Sequence, residues 1–230
     1  MASSPPENAP FLKQLVSSDR KSRDKAVDSL RTYLTCGKSF TELELLKLWR
    51  GLFFCMWHSD RPLTQQQLAC TLASLVSPLP ESLFLPWITA FWMTVTTNYS
   101  SIDSLRLDKF LYLIRCHVNA GFLYLRGKKW EATLLEGYLK VVRNVLCERV
   151  GQVSDGLRYH LLDIWVEELE VVDGEGTAPM EEILGVVRDV AAEGRTKVLR
   201  KYAKEVLERA VEKESDGVDL VDSDYRNTEG

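Results

Sequence analysis

The chain has 230 residues, of which 45% are hydrophobic and 27% charged, close to ordinary globular usage. Its 29 Lys and Arg against 33 Asp and Glu give a net charge of −4, which excludes a globally basic nucleic-acid binder but allows local basic patches. No apolar run reaches the ~18 uncharged residues that cross a bilayer, so residence in a membrane is not expected. The N-terminus, MASSPPENAP, lacks the basic and apolar regions of a secretory signal.

Five cysteines form an odd set without a CxxC pair, and each lies in or beside an apolar segment. This pattern predicts reduced, buried thiols in an intracellular protein, in preference to a disulfide or metal framework. The five are Cys36, Cys55, Cys70, Cys116 and Cys147.

The first three predicted helices have the 3.6-residue apolar period and strong end signals. Thr41 and Glu44 have the spacing of a capping box, which starts a helix that is apolar around most of its circumference. Pro62 fits the first turn of the next helix, where its missing amide hydrogen costs nothing. The three segments span residues 19–34, 41–57 and 62–76.

Six further amphipathic segments follow, with Ser101 and Ser154 as the expected N-caps of two of them. The sequence RGKK at 126–129 is expected to be a turn between two helices. The predicted helices are Leu83–Thr97, Ile102–Leu125, Trp130 to about Arg149, Asp155 to about Leu169, Met180–Ala191 and Thr196–Glu212.

About ten helices in antiparallel pairs, without a strand signal, predict an all-α fold. Hairpin spacing favours an irregular helical-repeat (HEAT-like) α-solenoid, and a globular multi-helix bundle is the alternative because no fixed sequence period is present. We expect a flexible N-terminus at 1–10, one helical-repeat domain at 11–214, and an acidic disordered tail at 215–230.

No catalytic or metal-binding motif is present, and no cofactor is expected: the chain has no phosphate-binding glycine loop, no GxSxG and no HExxH. Three residue pairs are the nearest candidates for metal binding or catalysis: Cys55 with His58, Cys116 with His117, and His160 with Asp163. The first offers two of the four ligands of a structural zinc site. The second points about 100° apart on a helix, which favours a core cysteine beside a partly exposed histidine. The third favours a surface or capping pair.

Local clusters of cations are stronger candidates for function than these pairs, because they could bind the backbone of a nucleic acid. In the last predicted helix four of them follow the spacing 0, 3, 4, 7 and so share one face. Such a face can grip phosphates, or can merely solubilise the outside of a terminal repeat. The RNA-binding candidates are Lys13, Arg20, Lys21, Arg23 and Lys25 at the N-terminal edge, Arg126, Lys128 and Lys129 in the RGKK turn, and Arg195, Lys197, Arg200, Lys201 and Lys204 near the last helix.

Two segments are candidates for contact with a protein partner. Core burial does not explain the particular residues HSDRP at the corner after the apolar string, so His58, Asp60 and Arg61 are candidates for an exposed contact. The alternative is a turn stabilised by a network around Asp60 and Arg61. The acidic region VEELEVVDGEGTAPMEE, residues 166–182, would be repelled by phosphate and would face a basic assembly factor. A solvated face is the alternative for its EELE part, residues 167–170. Its candidate residues are Glu167, Glu168 and Glu170.

Four segments resemble, in order, the eukaryotic ribosomal RNA-processing protein 1 family: FLKQLVSSDRKSRDKAVDSLRTYL, LELLKLWRGLFFCMWHSDRPLTQQQLA, IDSLRLDKFLYLIR and GLRYHLLDIWVEELE. The resemblance covers about residues 11–170 and rests on a long, unusual string. It implies a helical-repeat fold, residence in the nucleus and nucleolus, and a role in precursors of the large (60S) ribosomal subunit. Members of that family often continue into a lysine-rich extension, whereas the present sequence ends in an acidic segment.

The resemblance implies a role in pre-rRNA spacer processing without enzymatic activity, and together with the basic clusters it predicts a non-catalytic scaffold. Its expected partners are pre-rRNA or large-subunit rRNA and other assembly factors, which the resemblance implies include Brix-domain and WD-repeat types; neither a membrane nor a small-molecule substrate is expected. A protein-only adaptor without direct RNA contact is the alternative. A hydrolase acting on RNA is the third interpretation, and the absence of clustered carboxylates or a histidine pair speaks against it.

Overall fold

The computed structural model describes residues 19–147 and 153–225, with Gln14 and Ser17, and for 213–225 it describes the backbone alone. Within these ranges the chain forms nine α-helices and one 3-10 turn, and no strand. The predicted all-α fold is confirmed. The helices are α1 (Arg20–Leu34), α2 (Glu42–Trp57), α3 (Pro62–Ala73), α4 (Glu81–Asn98), α5 (Ser104–Gly127), α6 (Ala132–Cys147), α7 (Asp155–Val172), α8 (Met180–Glu193) and α9 (Lys197–Tyr225), with the 3-10 turn at Tyr99–Ser101.

The helix starts follow local side-chain chemistry. The capping box of α2 is confirmed: the Glu44 amide donates to Thr41 Oγ1 at 3.3 Å, and the Thr41 amide donates to Glu44 Oε2 at 2.9 Å. The prediction that Ser101 caps α5 is wrong, because Ser101 lies in the 3-10 turn. Asp103 takes the position instead and accepts from the Arg106 amide at 3.1 Å.

The helices alternate between two rows. The first row consists of α2, α4, α6 and α8, each packed on the next, and the second consists of α3, α5, α7 and α9. The rows also meet directly where α8 packs on α9. A helical-repeat fold requires this arrangement, in which each unit buries its apolar face on its neighbours. The more specific α-solenoid of about ten helices stays a prediction.

An aromatic cluster joins α2, α4 and α5 inside the core. The Trp49 ring lies 4.8 Å from that of Trp87 and 4.9 Å from that of Phe91, between centroids. His117 stacks on Phe91 at 3.6 Å. Each such pair contributes about 0.5–1.5 kcal/mol beyond the area it buries. The apolar string of α2 is therefore core on its inner side.

The last helix is longer than expected. Its backbone is helical to Tyr225, past residue 214, where the ordered domain was predicted to end. The predicted division into N-terminus, domain and tail stays a prediction. Among the described helices, none is long and apolar enough to cross a membrane.

Candidate nucleic-acid and partner interfaces

Three lysines form an exposed stripe on the first turns of α9. Lys197, Lys201 and Lys204 are all exposed, at spacings of four and three residues that place them on one face. The helix starts where Thr196 Oγ1 accepts from the Leu199 amide at 3.1 Å. Lys201 pairs with Glu205 at 3.5 Å, a surface pair of small energy that leaves Lys201 81% exposed. We call these three lysines the α9 stripe.

The two arginines predicted to extend this face behave differently. Arg195 is exposed in the turn before α9. Arg200 is half-buried, and its guanidinium donates to the carbonyl oxygen of Gly194 at 2.6 Å. Arg200 thus closes the turn between α8 and α9, so the predicted set of four cations on one face is reduced to three.

The N-terminal edge supplies fewer free cations than predicted. Lys21 and Lys25 are exposed on α1, and Arg20 pairs with Asp24 at 3.4 Å. Arg23 is buried and donates to the Ser17 carbonyl oxygen at 2.9 Å, so it cannot face RNA. It lies on the same stripe as the core residues of α1, which explains the burial. Lys13 lies outside the described residues.

The RGKK turn is held from several sides. Arg126 donates to the Val172 carbonyl oxygen, and Lys128 pairs with Glu81 at 3.3 Å. Lys129 has φ +54° and is exposed, and the buried Trp130 anchors the turn by donating to Thr177 Oγ1 at 3.2 Å. Two of the three predicted cations therefore have partners within the protein, and Lys129 is the one left to solvent.

The structure does not bring the three basic groups together. The α1 helix is tied to the end of α3 through Arg31, which donates to Ser74 Oγ at 2.7 Å. The α9 helix packs on α7 and α8 instead, and the RGKK turn joins α5 to α6. A nucleic-acid strand that contacted all three groups would have to pass along much of the molecule.

The corner between α2 and α3 is exposed at its side chains and fixed at its backbone. His58, Asp60 and Arg61 are all exposed, as a partner contact needs. The ammonium group of Lys109, on α5, donates to the carbonyl oxygens of Trp57 at 2.8 Å and Ser59 at 2.7 Å. The corner is thus fixed by a buried lysine from a distant helix, a role that no sequence pattern indicated.

The acidic segment of α7 divides between surface and interior. Glu167 and Glu170 are exposed, whereas Glu168 is buried. Glu168 accepts from Arg115 at 2.8 Å and from Asn119 at 2.9 Å, both on α5. Glu168 therefore belongs to the contact between α5 and α7 rather than to a solvated face, and Glu167 also pairs with Arg115, at 2.9 Å.

Comparison with known proteins identifies the family. A family model described as "Nucleolar protein, Nop52" matches residues 6–229, almost the whole chain. The chain belongs to the Nop52 family. It is 38% identical over 177 residues to human Ribosomal RNA processing protein 1 homolog B, covering 74% of this chain and 23% of the relative. It is 33% identical over 220 residues to human homolog A, covering 90% and 47%, and 31% identical over 207 residues to the Drosophila melanogaster homolog, covering 82% and 30%.

These matches confirm the family predicted from the sequence strings. The nucleolar location implied by the resemblance is confirmed at the level of the Nop52 family. The chain spans between about a quarter and a half of the length of these curated relatives. What the relatives do as whole proteins therefore comes to this Nop52-family chain only as a proposal.

In this Nop52-family chain the two members of the Cys116–His117 pair differ in burial, and the two members of the His160–Asp163 pair have different hydrogen-bond partners. His117 is fully buried and Cys116 half-buried, the reverse of the predicted exposures, and burial lowers the pKa of His117 to about 3. His160 Nε2 lies 3.0 Å from the Leu111 carbonyl oxygen, while Asp163 accepts from the Tyr202 hydroxyl. No group of three or more potential metal ligands occurs among the residues described.

Proposed function

We propose that this Nop52-family chain is a non-catalytic scaffold of precursors of the large ribosomal subunit, needed for pre-rRNA spacer processing. Its relatives are named for ribosomal RNA processing. The observation that carries direct RNA docking is the α9 stripe, in which Lys197, Lys201 and Lys204 are all exposed on one face. Lysines so arranged neutralise successive phosphates and release counterions, without reading sequence.

The second part of the proposal concerns protein partners. The α2–α3 corner has three exposed polar side chains on a backbone fixed by Lys109. Because this backbone is already ordered, a partner that binds there loses little free energy to ordering it. Exposed Glu167 and Glu170 suit a basic assembly factor by charge. Brix-domain and WD-repeat proteins are the partner types we propose, from the family resemblance.

A protein-only adaptor is the competing function, and the same rigid corner supports it. In that case pre-rRNA processing would fail because the particle misassembles, and the α9 stripe would be a solubilising surface. Salt dependence separates the two functions, since release of counterions from RNA depends on phosphate contacts.

The test is fluorescence anisotropy of the purified chain with a labelled pre-rRNA fragment over a salt series. Under the scaffold proposal, K197E/K201E/K204E flattens the plot of log affinity against log salt by about 2 to 3, because each lysine that neutralises a phosphate accounts for ~0.7–0.9 of the slope. Arg200 is left unchanged because it closes the α8–α9 turn. The matched single variants are K204E and K140E, since Lys140 is exposed on α6.

The scaffold proposal expects K204E to weaken binding and K140E to leave it nearly unchanged. Equal weakening in both variants would mean that net charge alone attracts the RNA. An unchanged salt slope in the triple variant, or no binding at low salt, would overturn RNA docking through α9 and favour the adaptor.

A further inference from the structure

The outer side of α2 carries a feature that core packing does not explain. Lys47, Arg50, Phe54 and His58 follow one another at intervals of three, four and four residues, which places them on one face of the helix. Lys47, Arg50 and His58 are exposed, and Phe54 is half-buried. We call this set the α2 outer stripe. The opposite side of α2 packs into the core through Leu45, Leu48, Trp49, Leu52 and Met56.

The stripe has an unbalanced positive charge. Neither Lys47 nor Arg50 forms an ion pair or side-chain hydrogen bond with any residue that the structure describes. Residues 45–59 contain no Asp or Glu. At the start of α2, Glu44 is already engaged by Lys38 at 3.1 Å and by Thr41. The cations are thus available to an anionic ligand, with Asp60 at the corner as the exposed acid that follows them.

The aromatic half of the stripe is ordered by a hydrogen bond. His58 Nδ1 lies 2.7 Å from the Phe54 carbonyl oxygen. A carbonyl oxygen can only accept, so Nδ1 carries the hydrogen and Nε2 is left as the second polar atom of the ring. The Phe54 and His58 rings lie 6.4 Å apart between centroids at an interplanar angle of 39°. The two rings therefore form a neighbouring pair beside the cations.

Cations followed by aromatic rings along about 16 Å of helix match the chemistry of single-stranded RNA. Phosphates need positive side chains, and unpaired bases need planar groups to stack on. An acidic protein segment would satisfy Lys47 and Arg50 but would leave the rings without a matching plane. A duplex would likewise offer phosphates while keeping its bases stacked on one another.

We propose that the α2 outer stripe binds a short single-stranded segment of RNA, with Lys47 and Arg50 on phosphates and Phe54 and His58 against bases. His58 then contacts the RNA, and Asp60 and Arg61 are the corner side chains that remain for a protein partner. The inference rests on the proposed RNA-docking function and adds a contact that is separate from α9. None of Lys47, Arg50 and Phe54 was a candidate from sequence. Their exposure becomes evident only once the buried side of α2 is known.

The test measures anisotropy of the full chain with a labelled single-stranded RNA 12-mer over a salt series. We expect K47Q/R50Q to flatten the salt slope by about 1.4, from ~0.7 for each phosphate contact on a single strand. F54L keeps an apolar side chain but removes the stacking plane. It should lower affinity roughly 5-fold or more at one salt concentration without changing the slope.

Two controls keep the outcome interpretable. K140Q and K47Q change the charge equally, and only K47Q should alter the slope. Circular dichroism and thermal unfolding should be the same for F54L and the unchanged chain, which excludes unfolding as the cause. The same RNA presented as a duplex 12-mer should show a smaller effect of F54L.

Several results would overturn the inference. Unchanged slope and affinity in K47Q/R50Q would remove the stripe from the RNA interface and leave an acidic protein segment as its occupant. An F54L variant that binds like the unchanged chain would refute the stacking. If the α9 variants lose binding while the stripe variants do not, the inference fails and the proposed function stands. If the unchanged chain binds no RNA, both fail.

Discussion

The ammonium nitrogen of Lys109 lies 2.7 Å from the carbonyl oxygen of Ser59, fifty residues earlier in the chain. Burial lowers the pKa of Lys109, so holding this charge inside has a cost that the two carbonyl bonds offset. We expect Lys109→Met to leave the Trp57 and Ser59 carbonyls without this donor and to lower the free energy of unfolding by about 1–3 kcal/mol.

Urea unfolding measures the decrease, and hydrogen exchange of residues 57–61 shows whether the corner opens locally. Lys140→Met is the control, because Lys140 is exposed and its replacement should stay within about 0.5 kcal/mol. Unchanged unfolding together with unchanged exchange at the corner would show that Lys109 does not hold it.

A pH dependence of stability should come from His117. Burial against Phe91 lowers its folded-state pKa to about 3, below the ordinary value of 6.5. Below pH 6.5 the unfolded chain gains a proton that the folded chain does not bind, so stability is lost as the pH falls. The expected slope is about 1 kcal/mol per pH unit between pH 6 and 4.5.

Urea unfolding at several pH values measures that slope, and His117→Leu should remove most of it. A smaller slope should remain, because burial also lowers the pKa of His160. Carboxylates with lowered pKa values, Glu44 among them, act at still lower pH. An equal slope in the variant would show that another group is responsible.

The local elements of this fold could be predicted because their signals lie within a few residues of one another. The capping box at Thr41 and Glu44 is an example, since both partners belong to the same helix turn. Burial of Arg23 and Glu168 was also predictable. Arg23 precedes three core residues of α1 by three, four and seven positions, which places it on their stripe; they are Ala26, Val27 and Leu30. Glu168 lies on the same stripe of α7 as the buried residues Leu161, Trp165 and Val172.

The partners of these buried charges could not be predicted in the same way. Lys109 bonds to carbonyls 50 and 52 residues away, and Glu168 bonds to Arg115 and Asn119 on another helix. Such pairs depend on how α5 packs against its neighbours. For the same reason the RGKK turn was predicted to offer three free cations, although Glu81 and the Val172 carbonyl occupy two of them.

The buried acid of α7 should contribute to the contact between α5 and α7. Glu168→Ala leaves Asn119 without its acceptor and Arg115 with Glu167 alone. We expect a decrease of about 1–3 kcal/mol in the free energy of unfolding, measured by urea unfolding. Glu136→Ala, at an exposed acid of α6, should change little. Equal effects in the two variants would mean that the Glu168 network is energetically neutral.

Two glycines inside helices should respond in opposite directions to the same substitution. A Cβ at Gly121, on α5, would lie 2.6 Å from the hydroxyl oxygen of buried Tyr138 and 2.9 Å from its ring. A Cβ at Gly185, on α8, would meet nothing within 4 Å. Gly185→Ala should therefore stabilise the fold by up to about 1 kcal/mol, because alanine costs less backbone entropy in a helix.

Gly121→Ala gains the same propensity but must displace the Tyr138 ring from a packed core. We expect a net destabilisation of about 1–3 kcal/mol, since overpacking exceeds the gain in helix propensity. Thermal unfolding of the two variants side by side measures the difference. Because the substitution is identical and both sites are helical, opposite shifts in Tm can arise only from the surroundings. Stabilisation by both would show that α5 and α6 can separate to admit a methyl group at no net cost.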